Sequence, residues 1–377
     1  MNIKMSYTRL FNEIKLLYNP SKPKIELPSG IHIKNFEFKS DCPANGFINP
    51  EDPFIKENSS FSYPVFCPRE KSNRVILLLH GLNERSWAKY LVWAHRLTES
   101  TSSYVILFPI SFHINRSPES WSNPRFMSDF LKTRNSVIGK ISNASFANIA
   151  LSNRLTDDPM RFFNSGYQTV NDIVKLLTSV KNGTHPEITP GSRVNVFGYS
   201  IGAFLSEIMV MGNPDDLFSE SRLFIFCGGS VFSNMNGSSK LIMDKRAFDR
   251  VYEYYMRDFE ADVMKKNRLS EFLQTSKIGL AFRSMIDLGR LIPFRENLFS
   301  QLNDQIQVIA LEQDSVIPIK GIIDTMKATG RKDSVTRMDF KFTYSHENPF
   351  PVLGDELFKE VDICFDRVFD RATAFLA

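Results

Sequence analysis

The segment Gly198-Tyr199-Ser200-Ile201-Gly202 places a serine between two glycines, directly after the expected strand Arg193 to Phe197. Ile201, Phe204, Leu205 and Ile208 follow at helical spacing, stopped by Gly212-Asn213-Pro214. Strand, sharp turn and helix in that order would hold the hydroxyl above the end of a sheet. The glycines would remove Cβ atoms that otherwise collide with neighbouring strand and helix. The serine would also sit at a helix N-terminus, where unpaired N–H groups favour an oxyanion. Such a serine can attack an acyl carbon if a base takes its proton and an acid holds that base.

Six histidines are available, at 32, 80, 95, 113, 185 and 346. In a nucleophile elbow the chain order is serine, acid, histidine, which leaves His346 as the base. It follows a long strand, Val335 to Tyr344, and precedes Glu347-Asn348-Pro349. The acid must lie at another strand end between the two. Asp314 qualifies, after the strand IQVIAL and before a turn into the next helix, where its plainer role would be capping. Glu312 is the closest competitor, but its place beside the strand end directs it along the sheet. An oxyanion needs donors already in place. The backbone N–H of Ile201 supplies one. Leu82, in the loop His80-Gly81-Leu82-Asn83, is expected to supply the other, with Asn83 second, and His80 reads as a structural residue of that loop. His113, Arg116 and Trp121 follow the strand YVILFPI at the end of the sheet where ligands of open α/β sheets bind. Loop surface is their plainer reading and substrate contact the alternative. Asn83, Tyr199 and His113 are taken as the substrate-contact set.

These residues need strands and helices in alternation to position them, and the chain supplies that rhythm. RVILLL (74–79) is apolar on successive positions, as a strand covered on both faces would be. Trp87, Tyr90, Leu91, Ala94 and Leu97 then mark a helix that Asn83 or Ser86 could cap. Further strands are expected at 104–110, 193–197, 222–227, 306–311 and 335–344. Helices are expected around 167–177 and 201–208, around 319–326 with an end at Gly330, and from Leu357 to Ala372. Residues 31–38 and 61–66 suggest an early strand pair, and Leu10, Ile14 and Leu17 a short amphipathic helix. Two stretches break the rhythm: a polar excursion at 111–160, and 230–303, where Phe248 to Val263 and Phe272 to Ile286 carry helical spacing. Structureless loops of that length are uncommon, so helical insertions are expected.

The order HG after an apolar strand, GYSIG, Asp314 and His346 resembles the α/β-hydrolase superfamily over about 73–377. That resemblance implies a mostly parallel central sheet of about eight strands flanked by helices, and hydrolysis of an ester, thioester or amide through an acyl-enzyme. The departures are HGLN where many lipases have HGGG, and the lack of a glycine commonly found before the acid. The expected domains are an N-terminal extension, 1–72, whose short strands pack on the core; the core itself, 73–229 and 304–377; and a helical cap at 230–303.

Composition bounds the function. The 377 residues are 42% hydrophobic and 23% charged, enough for a sizeable core. A net charge of +4 over so large a chain gives no argument for nucleic acid. Cys42, Cys67, Cys227 and Cys364 lie far apart without a CxxC pair, so free buried thiols are expected, with no metal site and no cofactor. No apolar run approaches the length of a membrane span and no signal peptide is evident, so a cytoplasmic protein without an integral membrane segment is expected. The expectation is therefore a serine hydrolase acting on a small acyl or ester substrate. An inactive binding protein on the same scaffold, or an acyltransferase or peptidase using the same triad, stands as the alternative. The sequence leaves substrate identity and oligomeric state open.

Overall fold

The computed structural model describes residues 6–41, 49–327, 335–352 and 358–377. Cys42, Gly330 and Leu357, singled out above, lie outside them. The described residues form one nine-stranded sheet: β1 (Lys24–Glu26), β2 (His32–Lys39), β3 (Ser60–Cys67), β4 (Arg74–Leu79), β5 (Tyr104–Leu107), β6 (Arg193–Tyr199), β7 (Leu223–Phe226), β8 (Ile306–Leu311) and β9 (Val335–Met338). Their order is β1-β2-β3-β5-β4-β6-β7-β8-β9. From β5 through β9 every pairing is parallel, whereas β1, β2 and β3 join antiparallel. The fold is thus α/β with a mostly parallel sheet and helices on both faces, in the α/β-hydrolase arrangement that the elbow implied. It has one strand more than expected because the first seventy residues contribute three.

The continuous apolar runs are explained by coverage on both faces. Side chains alternate along a strand, so Val75, Leu77 and Leu79 enter one buried layer with Val196 and Ile225. Ile76 and Leu78 enter the other with Phe197, Tyr199, Phe226 and Trp93. That second layer also receives the C-terminal helix Phe358–Leu376 and the helix Tyr7–Leu17. Of the apolar positions expected there, Leu10 and Ile14 are buried while Leu17 is exposed.

Several local expectations need correction. The strand expected to run from Val335 to Tyr344 stops at Met338, paired with Leu311. β8 turns away at that point, so residues 339–344 have no strand to pair with. Phe340, Phe342 and Tyr344 are buried all the same, and their spacing imitated a strand. The helix after β4, Ala88–Thr101, starts at Trp87 with no side-chain cap, so neither Asn83 nor Ser86 acts as one. The two interrupting stretches are helical. Pro124–Ile138, capped by Asn123, and Ile149–Asp157 occupy the first. In the second, Lys245–Glu253 runs through a π turn into Phe259–Val263, followed by Arg268–Thr275, Lys277–Ser284 and Ile292–Gln301. Cys67, Cys227 and Cys364 are free and buried. No helix among the described residues is long and apolar enough to cross a membrane.

One buried group opposes the fold. Glu207, on the helix Ile201–Gly212, is fully buried, and neither carboxylate oxygen has a hydrogen-bond partner among the described residues. Burial pushes its carboxyl well above the usual range. A carboxyl raised in the folded state contributes stability at acid pH that is lost as pH climbs above the unfolded value, about 4.3. Glu207→Gln should therefore raise the melting temperature by a few degrees at pH 7 to 8 and flatten the fall in stability between pH 5 and 8. Calorimetry across that range checks both.

Candidate active site

β6 delivers Ser200 at φ 57°, ψ −123°, a positive φ that a non-glycine residue holds only under constraint. The constraint is close approach. A Cβ on Gly198 would stand 2.6 Å from the Ala203 Cα, and one on Gly202 would stand 2.6 Å from the Leu79 carbonyl carbon and 2.7 Å from the His80 oxygen. Both glycines are thus required by neighbouring backbone, as the spacing implied. The Ser200 N–H donates to the Phe226 carbonyl at 3.3 Å, which ties the turn to β7.

His346 and Asp314 arrive from two other strand ends. Ser200 Oγ lies 2.6 Å from His346 Nε2, and His346 Nδ1 lies 2.7 Å from Asp314 Oδ2. The other carboxylate oxygen of Asp314 accepts from the N–H groups of Val316 and Ile317, both at 2.9 Å. Asp314 therefore caps its turn with one oxygen and holds the imidazole with the other. All three residues are at most 5% exposed. Glu312 is exposed, with its N–H on the Met338 carbonyl.

The loop of His346 is held from beneath. The Tyr199 hydroxyl donates to the His346 carbonyl oxygen, and the two rings stack with centroids 5.7 Å apart. Lys89 donates to the Glu347 carbonyl at 2.7 Å, and the Ser239 hydroxyl binds the Glu347 carboxylate. Tyr199 shares the parity of Phe197 along β6 and so enters the layer with Trp93, away from the cavities. This corrects its assignment to substrate contact. Asn83 is corrected likewise: its Nδ2 donates to the carbonyls of Ala147 and Leu241 at 2.9 and 2.7 Å, and its Oδ1 accepts from Arg85. The side chain clips both helical insertions to the loop after β4. Sequence reasoning missed Tyr90, whose hydroxyl accepts from the Gly81 N–H at 2.9 Å and donates to Glu84, fixing that loop. An aromatic at helical spacing gave no signal beyond packing.

Two apolar cavities meet at the elbow and share Leu82, Phe162 and Ile201. The smaller, about 40 Å³, touches Ser200 and is walled by Phe232, Met243, Val251 and Ile317. The larger, about 70 Å³, runs past Phe204, Leu205 and Phe282 to Ser111, His113 and Arg154. Ile201 begins the helix, so its N–H has no acceptor within the helix. His80 uses both ring nitrogens: Nδ1 donates to the Gly81 carbonyl at 2.8 Å and Nε2 accepts from the Ile110 N–H at 2.9 Å. Arg116 is wholly buried and paired with Asp172 at 2.8 Å, while half-buried Trp121 lies under the Arg154 guanidinium. His32, Cys67 and Glu187 bring one donor atom each within 4.8 Å of one another, where β2 begins and β3 ends, but Glu187 already pairs with Lys34.

The sequence profile of DUF6051, described as a family of unknown function, matches residues 26–377. The chain belongs to DUF6051. The DUF6051 match takes in Ser200, Asp314 and His346 and leaves out the helix Tyr7–Leu17. Among curated proteins none matches. This DUF6051 chain is similar to solved structures at low identity. Carboxyl esterase 2 of the mycorrhizal fungus Tuber melanosporum has a TM-score of 0.48 at 9% identity, covering 93% of this chain and 89% of that one. A thermostable carboxyl esterase of Bacillus coagulans gives 0.44 at 11%, covering 92% and 99%. An esterase of Pyrococcus furiosus gives 0.41 at 12%, covering 91% of each.

Gly202→Ala should cost about 1–3 kcal/mol of stability, because the added methyl meets backbone that has no way to yield. Urea unfolding of the variant measures this, and a loss under about 0.5 kcal/mol would mean that the helix and β4 are not so closely apposed.

Proposed function

We propose that this protein is a serine hydrolase cleaving a carboxylic ester or related acyl substrate through an acyl-enzyme on Ser200. The observation that carries the reading is the unbroken line of hydrogen bonds from Ser200 Oγ through the His346 imidazole to Asp314. A carbonyl carbon seated against Ser200 is attacked by Oγ as His346 Nε2 takes its proton. Asp314 keeps the proton of the neutral imidazole on Nδ1 and stabilises the imidazolium once formed. The oxygen of the tetrahedral intermediate is taken by the N–H groups of Ile201 and Leu82. His346 then returns the proton to the leaving group, and water repeats the sequence to release the acid.

The apolar walls of both cavities favour an uncharged acyl substrate. The segment 230–303 acts as a cap, since Phe232, Met243 and Val251 close over the cavity that touches Ser200. His113, on the wall of the larger cavity, remains from the substrate-contact set. A fluorophosphonate probe should label the wild type and not Ser200→Ala. Hydrolysis of p-nitrophenyl esters should fall by about 10⁴-fold in Asp314→Asn, which holds the histidine in the wrong tautomer. Well-folded protein that neither labels nor turns over any ester in a chain-length series would sink this reading and favour a binding protein.

A further inference from the structure

Two buried histidines stand side by side behind the nucleophile, with ring centroids 5.4 Å apart, and they are used differently. His80 has a partner on each nitrogen, as described. His113 Nδ1 lies 2.8 Å from the Ser111 carbonyl oxygen, which can only accept, so Nδ1 carries the hydrogen. Its Nε2 has no hydrogen-bond partner among the described residues, although the residue is only 4% exposed. Burial, outweighing the bond to Ser111 and reinforced by Arg85, Arg116 and Arg154, brings the imidazole down to about 4. At neutral pH His113 therefore keeps a bare lone pair on Nε2. His113 lines the larger cavity, whose other wall residues are mostly apolar, and its Nε2 is buried there. His95 also has an idle buried nitrogen, but it lines neither cavity at the elbow.

A buried acceptor left idle beside an apolar pocket is costly unless a ligand supplies the missing donor. We propose that His113 is a specificity-determining residue whose Nε2 accepts a hydrogen bond from a hydroxyl or N–H group on the arm of the substrate that enters the larger cavity. The substrate class is then esters with a donor-bearing arm, such as hydroxyacyl esters, in place of plain alkyl ones. This rests on the serine-hydrolase reading above. Arg154 and Arg161, on the same wall, are already paired with Asp52 and leave His113 to select a neutral donor.

The test compares matched naphthyl esters of hydroxyalkanoic and alkanoic acids, and alkanoate esters of diols and alkanols, over a range of chain lengths. In one series kcat/KM should favour the hydroxylated member by about tenfold to a hundredfold. His113→Phe should bring that ratio to about one, while His113→Gln, which keeps an acceptor oxygen, should retain part of it. A ratio near one throughout in protein that still labels at Ser200, or a ratio unchanged in His113→Phe, overturns the proposal and leaves the hydrolase reading intact. Folded protein that neither labels nor turns over overturns both. Should the variants fold poorly, nitrogen-15 spectra of histidine-labelled wild type decide. The His113 Nε2 signal should be that of an unprotonated nitrogen and should shift on binding a hydroxylated phosphonate but not its alkyl analogue. A protonated Nε2, or equal shifts with both, rejects the assignment.

Discussion

The hydrogen-bonded line from Ser200 through His346 to Asp314 joins residues 146 and 32 positions apart in the chain, and the surrounding structure is arranged to keep it aligned. Each member is fixed by something other than the line itself. Ser200 is fixed by a positive φ that two glycines and adjoining backbone enforce. Asp314 is fixed by two N–H groups of its own turn. His346 is fixed through its carbonyl by Tyr199, one residue before the serine, so the elbow positions the hydroxyl from one face of the sheet and the imidazole from the other. Locked geometry of this kind lets a short hydrogen bond persist without each side chain having to give up rotamer freedom to form it.

The additions to the sheet converge on the same end. Asn83 bridges to Ala147 in the first insertion and Leu241 in the second, and Ser239 reaches the Glu347 carboxylate beside the imidazole. A shift in either insertion would thus be felt in the loop after β4 or in the histidine loop, the two segments that border Ser200. The aromatic content has a matching role. Phe162, Phe232 and Tyr255 meet at centroid distances of 5.5 to 5.7 Å and seat the second insertion on the helix Arg161–Lys181. Much of the apparent aromatic stripe at 248–263 is packing of this sort, with Phe232, Phe248 and Val251 also forming a cavity wall.

What the sequence by itself determined was local or ordinal. The run RVILLL and the glycines around Ser200 follow from coverage of strands on both faces and from backbone sterics, and both leave direct marks in residue type; the order serine, acid, histidine comes from the resemblance. Asp314 is preferred over Glu312 because Glu312 sits beside the strand end and Asp314 in the turn after it, and the structure sets an Asp314 oxygen 2.7 Å from His346 Nδ1. Only the tertiary structure decided what depends on partners distant in the chain. It sent Tyr199 to the layer beneath the sheet, because the parity of β6 acquires a meaning only once both faces are occupied. It made Asn83 a clip between insertions, because its acceptors at 147 and 241 are not neighbours in sequence. It ended β9 at Met338, because a strand lasts only as long as the strand beside it, and the burial of Phe340, Phe342 and Tyr344 carries the same alternation without a ladder. The idle nitrogen of His113 belongs to this second class as well, since a missing partner can be recognised only when every neighbour has been placed.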